Sequence, residues 1–136
     1  MIVVTVGSSP GNYSFHRLVK AMDQVLERKG WQGWMQIGSS AYRPKAPHDL
    51  FVSQQEMEEK VRNCDLVVGH CGVGTLLLAR EFRKNICVLP REPQFGEILD
   101  FHQIEMAQNL AGVSWVELLQ EHSLEAQIAH RLGECS

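Results

Sequence analysis

The segment "DLVVGHCGVGTLLLARE" (residues 65–81) decides how the rest of the chain is interpreted, because one run combines an apolar strand, a glycine-bearing turn and the start of a helix. The apolar stretch ends before His70, and two glycines, Gly72 and Gly74, follow in the turn. Glycine lets the backbone come close to a ligand, and a helix N-terminus presents unpaired N–H groups to an anion. The segment predicts a phosphate-holding turn, although glycines that merely allow a tight turn are an equally open interpretation.

The same alternation of short apolar runs and helix-period segments extends in both directions from this turn. Strands are predicted at 2–6, 34–38, 65–69, 86–90 and 113–116, and helices at 15–30, 53–63, 72–84, 101–111 and 124–132. A polar loop at 39–49 and a short apolar run at 50–52 precede the second helix. Gly30 is the expected C-cap of the first helix, and Ser53 with Glu56 forms a capping box for the second. The alternation predicts an α/β fold, a Rossmann-like parallel sheet with helices on both faces, as one domain over residues 1–136.

Composition narrows the range of functions. The chain has 136 residues, 44% of them hydrophobic, and a net charge of −3, so no basic field for nucleic acid is indicated. Its cysteines (Cys64, Cys71, Cys87 and Cys135) form no C-x-x-C pair, and no signal peptide is evident, which predicts a reducing cytoplasm. The apolar runs are shorter than the roughly 20 residues of a membrane-spanning helix, so membrane attachment is expected only through a partner.

Two common nucleotide-binding motifs are missing. The first turn, "GSSPGN" (7–12), does not match G-x-G-x-x-G, and "GVGTLL" (72–77) lacks the third glycine. The chain contains no P-loop string either. Because ligands of open parallel sheets bind beyond the carboxyl ends of the strands, the loops 7–14, 69–75 and 90–102 are the expected site. A flavodoxin-like FMN protein remains open on these grounds.

Several segments together resemble a known family. They are "IVVTVGSS" (2–9), "FHRLVKAMD" (15–23), "GSSAYRP" (38–44), "EMEEKVRNCDLVVGHCGVGT" (56–75), "ICVLPR" (86–91) and "FGEILDFHQIEMAQNL" (95–110). In order and spacing they resemble the C-terminal donor-binding domain of family 28 glycosyltransferases, which is the C-terminal half of a GT-B enzyme. The likeness is greatest to the stand-alone version found in two-subunit transferases of dolichol-linked glycan and bacterial exopolysaccharide synthesis.

The resemblance implies a subunit of an inverting transferase that moves a sugar from a UDP-sugar to a lipid-linked acceptor. A membrane-associated partner resembling the N-terminal half would supply the acceptor site and hold the chain at the membrane periphery. No metal or other cofactor is expected, because helix-end amides would stabilise the UDP leaving group. The implied donor-binding residues are Gly7, Ser8, Ser9, Phe51, Val52, His70, Gly72, Val73, Gly74, Thr75, Asp100, His102 and Gln103. The catalytic base is not identified, with His102 a candidate.

One position departs from the family pattern. Leu78 stands where the family commonly has a glutamate that accepts hydrogen bonds from the ribose hydroxyls. Glu81, one turn further, is interpreted as a solvated helix residue rather than a replacement. The departure allows weaker uridine binding, a different donor nucleotide, or a non-catalytic subunit that regulates or scaffolds a partner transferase. A Cys71–His70 nucleophile pair is disfavoured since adjacent strand side chains point apart, and Arg91 is open between a loop salt bridge and a phosphate contact.

Overall fold

A six-stranded parallel sheet forms the centre of the protein, in a computed structural model that describes residues 1–6, 15–95, 97 and 102–133. The strands are β1 (Ile2–Thr5), β2 (Gly33–Gln36), β3 (His48–Asp49), β4 (Leu66–His70), β5 (Ile86–Leu89) and β6 (Val116–Leu118). The helices are α1 (His16–Lys29), α2 (Gln54–Arg62), α3 (Val73–Glu81), α4 (His102–Asn109) and α5 (Leu124–Arg131). The strand order is β3-β2-β1-β4-β5-β6, so the predicted Rossmann-like fold is confirmed.

Each face of the sheet carries its own hydrophobic core. Val4 and Val68 belong to the cluster beneath α1 and α5, whereas Val3 and Val67 belong to the cluster beneath α2, α3 and α4. Successive residues of a strand point to opposite faces, so a strand covered on both sides must be apolar throughout. The continuous apolar runs of β1 and β4 therefore follow from their central position in the sheet.

Most of the predicted element boundaries agree with the structure. Gly30 ends α1 with a left-handed φ of 66°, and Ser53 caps α2 by accepting a hydrogen bond from the Glu56 backbone N–H at 3.1 Å. The sequence also predicted that no helix would span a membrane. In the described part of the chain, no helix combines the length and apolar character needed to span a bilayer.

Neither edge strand was predicted correctly. β3 (His48–Asp49) lies in the segment predicted as a loop, and the strand predicted at 113–116 is β6, which begins at Val116. The polar pair of β3 gives no apolar signal. The strand is held by backbone pairing with β2 and by a 2.9 Å hydrogen bond from the Trp34 indole N–H to the Asp49 carboxylate.

Candidate functional site

A cleft of about 550 Å³ lies at the carboxyl ends of β1, β2 and β4. It is lined by Thr5, Gln36, Val52, Ser53, Gln54, Met57, His70, Gly72, Val73, Gly74, Thr75, Leu78 and Gln103. Thr5, Gln36 and His70 end their strands, and the 72–75 segment begins α3. The cleft is therefore at the edge of the sheet where the sequence predicted a ligand.

The N-terminus of α3 opens into this cleft without a side-chain cap. Gly72 is the N-cap residue, and since glycine has no side chain it makes no capping hydrogen bond. The first intrahelical bond is that from the Leu76 N–H to the Gly72 carbonyl at 3.0 Å, and both Val73 and Gly74 are exposed. An uncapped helix end carries partial positive charge and offers backbone N–H groups, so it can bind an anion.

The two turn glycines have different surroundings. A Cβ on Gly72 would lie 2.4 Å from Cε1 of the His70 ring, whereas a Cβ on Gly74 would meet nothing within 4 Å. Gly72 is thus required by the packing of His70. Gly74 is not required by the protein's own packing, and its open space is the cleft.

One side of the cleft is a hydrogen-bonded chain of His70, Thr75 and Gln103, which we call the polar wall. The Arg91 backbone N–H donates to Gln103 Oε1 at 3.0 Å, which leaves the Gln103 amide nitrogen facing His70 Nδ1 at 3.2 Å. His70 Nε2 lies 3.2 Å from Thr75 Oγ1. Because the amide nitrogen donates, Nδ1 accepts, and the ring proton is on Nε2 and is donated to Thr75.

The charge state of His70 agrees with this arrangement. Burial, together with the positive charge of Arg91, lowers the pKa of His70 from 6.5 to about 4. The imidazole is therefore neutral near pH 7, as an Nδ1 acceptor requires. With its oxygen accepting from His70, the Thr75 hydroxyl has its hydrogen left to donate to another group.

Another part of the cleft lining consists of Val52, Met57 and Leu78, which we call the apolar wall. Met57 and Leu78 are buried, and Val52 is half-buried. Gln36 connects this side to the sheet, since its Nε2 donates to Thr5 Oγ1 at 3.1 Å and its Oε1 accepts from the Val52 N–H at 3.0 Å. The two walls thus face the same helix end with opposite chemistry.

Two arginines, the buried Arg91 and the half-buried Arg17, hold the segment next to the polar wall. The Arg91 guanidinium donates to the carbonyls of Val6 at 2.6 Å and Glu97 at 3.1 Å. Arg17 of α1 forms a salt bridge with the buried Glu97 at 3.0 Å. Arg91 therefore anchors the segment after β5 through backbone carbonyls, and Glu97 is the ion-pair partner of Arg17.

The residues predicted to bind the donor fall into three groups. Seven line the cleft: Val52, His70, Gly72, Val73, Gly74, Thr75 and Gln103. Two described residues, Phe51 and His102, are exposed and lie outside the lining. Gly7, Ser8, Ser9 and Asp100 lie outside the described residues, so their predicted roles stay predictions.

The structure also bears on Leu78, Glu81 and Cys71, which the sequence singled out. Leu78 lines the cleft, and Glu81 is an exposed helix residue outside the lining. Burial raises the pKa of the Cys71 thiol to about 11, which agrees with the disfavoured nucleophile pair. Within residues 1–6, 15–95, 97 and 102–133, no group of three or more His, Cys, Asp or Glu side chains is arranged to hold a metal ion.

Sequence reasoning missed five lining residues: Thr5, Gln36, Ser53, Gln54 and Met57. For two of them a signal existed. Thr5 and Gln36 are polar residues inside otherwise apolar strand runs, and both are buried. A polar side chain at the carboxyl end of a buried strand either bonds internally or faces a ligand, so this pattern marks the floor of the cleft.

A second cleft, of about 580 Å³, lies at the opposite edge of the sheet. Met1 precedes β1, Gly33 begins β2 and Pro47 precedes β3, so this cleft is at the amino ends of the strands. Its lining includes Trp31 and Trp34 but no helix N-terminal turn. Two lysines also line it, but Lys45 pairs with Glu27 at 3.3 Å and Lys60 lies over the Trp34 ring. Because the lining lacks helix-end N–H groups like those of α3, we take the first cleft as the candidate site.

The chain is similar to known proteins in sequence and in fold. Residues 1–134 match the glycosyltransferase family 28 C-terminal domain. No relative was found among the curated proteins. Among solved structures, the fold is similar to a glycotransferase of kitacinnamycin, with a TM-score of 0.71 and 15% identity over 98% of this chain and 35% of the other.

Two further structures show the same fold. The spinosyn rhamnosyltransferase SpnG, solved with thymidine diphosphate, has a TM-score of 0.66 and 19% identity over 97% of this chain and 37% of its own. The solution structure of ALG13 has a TM-score of 0.60 and 18% identity over 93% of this chain and 82% of its own. This chain thus spans about a third of the length of the two transferases and most of ALG13.

Proposed function

This chain belongs to the glycosyltransferase family 28 C-terminal domains, and from that premise we propose that it is the donor-binding part of an inverting glycosyltransferase that uses a nucleoside diphosphate sugar. One observation carries the proposal: the uncapped end of α3 opens, at Gly74, into a cleft of about 550 Å³. A diphosphate is the anionic part of such a donor, and it is the group that a helix end binds. The resemblance favours UDP as the nucleotide, while SpnG was solved with thymidine diphosphate.

The residues of the cleft suggest how transfer would be assisted. When an acceptor hydroxyl attacks the anomeric carbon, the bond to the phosphate oxygen breaks and negative charge grows on the departing diphosphate. The amides of Val73 and Gly74 and the remaining hydroxyl hydrogen of Thr75 would donate to that charge. Because His70 fixes the Thr75 oxygen, this donor is oriented before the donor sugar binds, which is the arrangement that lowers a barrier.

The acceptor and the catalytic base belong to another domain or subunit in this proposal. The chain spans 35% of the kitacinnamycin transferase but 82% of ALG13, which supports a part that works with a second component. A cleft between two such components would bring donor and acceptor together. We propose a membrane-associated partner and a lipid-linked acceptor of the kind used in polysaccharide or glycan assembly.

Isothermal titration of the purified chain with UDP in EDTA tests the donor site. Wild type should bind, and Gly74→Ala should weaken binding at least about tenfold, because the added methyl group occupies the space next to the helix-end amides. The matched control is Leu77→Ala on the same helix, an exposed residue outside the cleft lining. No heat with UDP, thymidine diphosphate or their sugars, with and without a partner subunit, would contradict the proposal.

A second candidate is a non-catalytic subunit of the same fold. The observation that favours it is Leu78, which places an aliphatic side chain in the cleft lining where the family commonly has a carboxylate. Such a subunit would bind its partner but no nucleotide. A pull-down that succeeds with a partner while titration shows no nucleotide binding would select this candidate.

A further inference from the structure

The position of Leu78 relative to the α3 end has a consequence for the pentose of the donor. Gly74 and Leu78 are four residues apart, so they lie on one face of the helix, separated by about 6 Å along its axis. Both line the cleft. A phosphate held at Gly74 would bring an attached pentose, one bridging oxygen and one carbon away, within reach of Leu78.

The pentose would meet mainly apolar atoms there. Leu78 is 9% exposed and Met57 is 7% exposed, and together with Val52 they form the apolar wall. A hydroxyl pressed against such a wall loses its water and gains no hydrogen bond in return. A 2′-deoxypentose has no hydroxyl at that position, so it loses no hydrogen bond to water there.

Most of the polar groups nearest the apolar wall bond within the protein. Ser53 Oγ accepts from the Glu56 N–H at 3.1 Å, and both ends of the Gln36 amide are bonded to Thr5 and to the Val52 N–H. Gln54 is exposed, and its Nε2 donates to Glu58 at 3.3 Å. Ser53 keeps one hydroxyl hydrogen, which serves a single pentose hydroxyl such as the 3′-hydroxyl that ribose and deoxyribose share.

We propose that Leu78 is a specificity-determining residue, and that the cleft prefers a 2′-deoxyribonucleoside diphosphate sugar to its ribonucleotide counterpart. This inference rests on the proposed function, and it departs from the UDP-sugar implied by the sequence resemblance. The polar wall and the α3 end hold the diphosphate of either nucleotide equally. Discrimination comes from the apolar wall, where the two nucleotides differ by one hydroxyl group.

The test compares UDP with 2′-deoxyuridine diphosphate by isothermal titration on the full chain. These ligands share base and diphosphate, so the ratio of their dissociation constants isolates the contribution of the 2′-hydroxyl. Wild type should bind the deoxynucleotide about tenfold more tightly, which is within the range for a hydroxyl excluded by an apolar pocket. Equal binding, or tighter binding of UDP, would overturn the inference while leaving the proposed function intact. Binding of neither ligand would instead overturn the proposed function.

A pair of variants tests whether Leu78 is responsible. Leu78→Glu should reverse the ratio in favour of UDP, even if the carboxylate weakens both ligands by repelling their diphosphates. Leu77→Glu places the same charge on the neighbouring exposed residue outside the cleft lining and should leave the wild-type ratio unchanged. If Leu78→Glu does not fold, Leu78→Gln supplies the same hydroxyl-bonding group without the charge. An unchanged ratio in the folded Leu78 variant would overturn the assignment.

Discussion

The polar wall and the apolar wall of the cleft border the same helix end but are organised differently. His70, Thr75 and Gln103 are fixed in a continuous series of hydrogen bonds that extends back to the Arg91 backbone. The side chains of the apolar wall are held by packing, and its one hydrogen bond described above joins the Val52 backbone N–H to Gln36. In our proposal, the polar wall fixes where the anion binds, whereas the apolar wall decides which nucleotide accompanies it.

Replacing His70 should give the largest effect, because the polar wall depends on it. His70→Ala removes two buried hydrogen bonds and leaves a cavity beside Gln103, so we expect the free energy of unfolding to fall by about 4 kcal/mol. Urea denaturation measures this loss. The control His102→Ala removes an exposed histidine and should change stability by less than about 0.5 kcal/mol. Equal effects of the two variants would show that the polar wall is not a structural unit.

Acidification should weaken the same wall without mutation. The folded pKa of His70 is about 4, against 6.5 unperturbed, so between these values the unfolded chain binds the extra proton. Stability contributed by neutral His70 is present above pH 6.5 and is lost as the pH falls towards 4, by about 3 kcal/mol in total.

Comparison of pH–stability curves isolates this contribution from other acid effects. The wild-type curve should fall more steeply between pH 6.5 and 4 than the curve of His70→Gln, which has no titrating group at this position. Parallel curves would mean that His70 is not buried in its neutral form.

The two turn glycines separate effects on stability from effects on binding. Gly72 packs against His70 of the polar wall, whereas Gly74 faces the open cleft. Gly72→Ala should destabilise the fold by about 2 kcal/mol, because its Cβ would lie 2.4 Å from the His70 ring. Gly74→Ala should stabilise it by about 0.5 kcal/mol through helix propensity and weaken nucleotide binding. Thermal denaturation of both variants provides the test, and destabilisation by Gly74→Ala would contradict the open space assigned to that residue.

The smallest effect is expected on the apolar wall. Leu78→Met conserves volume and apolar character, so the free energy of unfolding should change by less than about 1 kcal/mol. The preference between UDP and its deoxy analogue should also stay as in wild type. A large loss of binding in Leu78→Met would show that this wall recognises its ligand by more than apolar packing.

Much of the fold could be predicted from sequence because the decisive signals are local. The strand, turn and helix of 65–81 follow from apolar runs, glycines and helical periodicity over consecutive residues. The edge strand β3 could not be found, because His48 and Asp49 have no apolar pattern and the strand depends on pairing with β2. Local signals therefore place the centre of the sheet better than its edges.

The candidate site was predictable only in part for a similar reason. The α3 turn is encoded by neighbouring residues, but the polar wall requires His70 and Gln103 to meet across 33 positions of the chain. The Arg17–Glu97 ion pair behind it joins residues 80 positions apart. Such pairs depend on the tertiary fold, and neither partner shows a distinctive sequence pattern. The apolar wall likewise combines residues from the α2 and α3 regions.

The central claim is that the α3 end binds the diphosphate of a nucleotide sugar. A titration of ¹⁵N-labelled protein with UDP in EDTA, followed by amide chemical shifts, tests it most directly. The account predicts the largest shifts at Val73, Gly74 and Thr75, with smaller ones at the apolar wall. Shifts concentrated at the opposite cleft around Trp31 and Trp34, with the α3 amides unchanged, would contradict it.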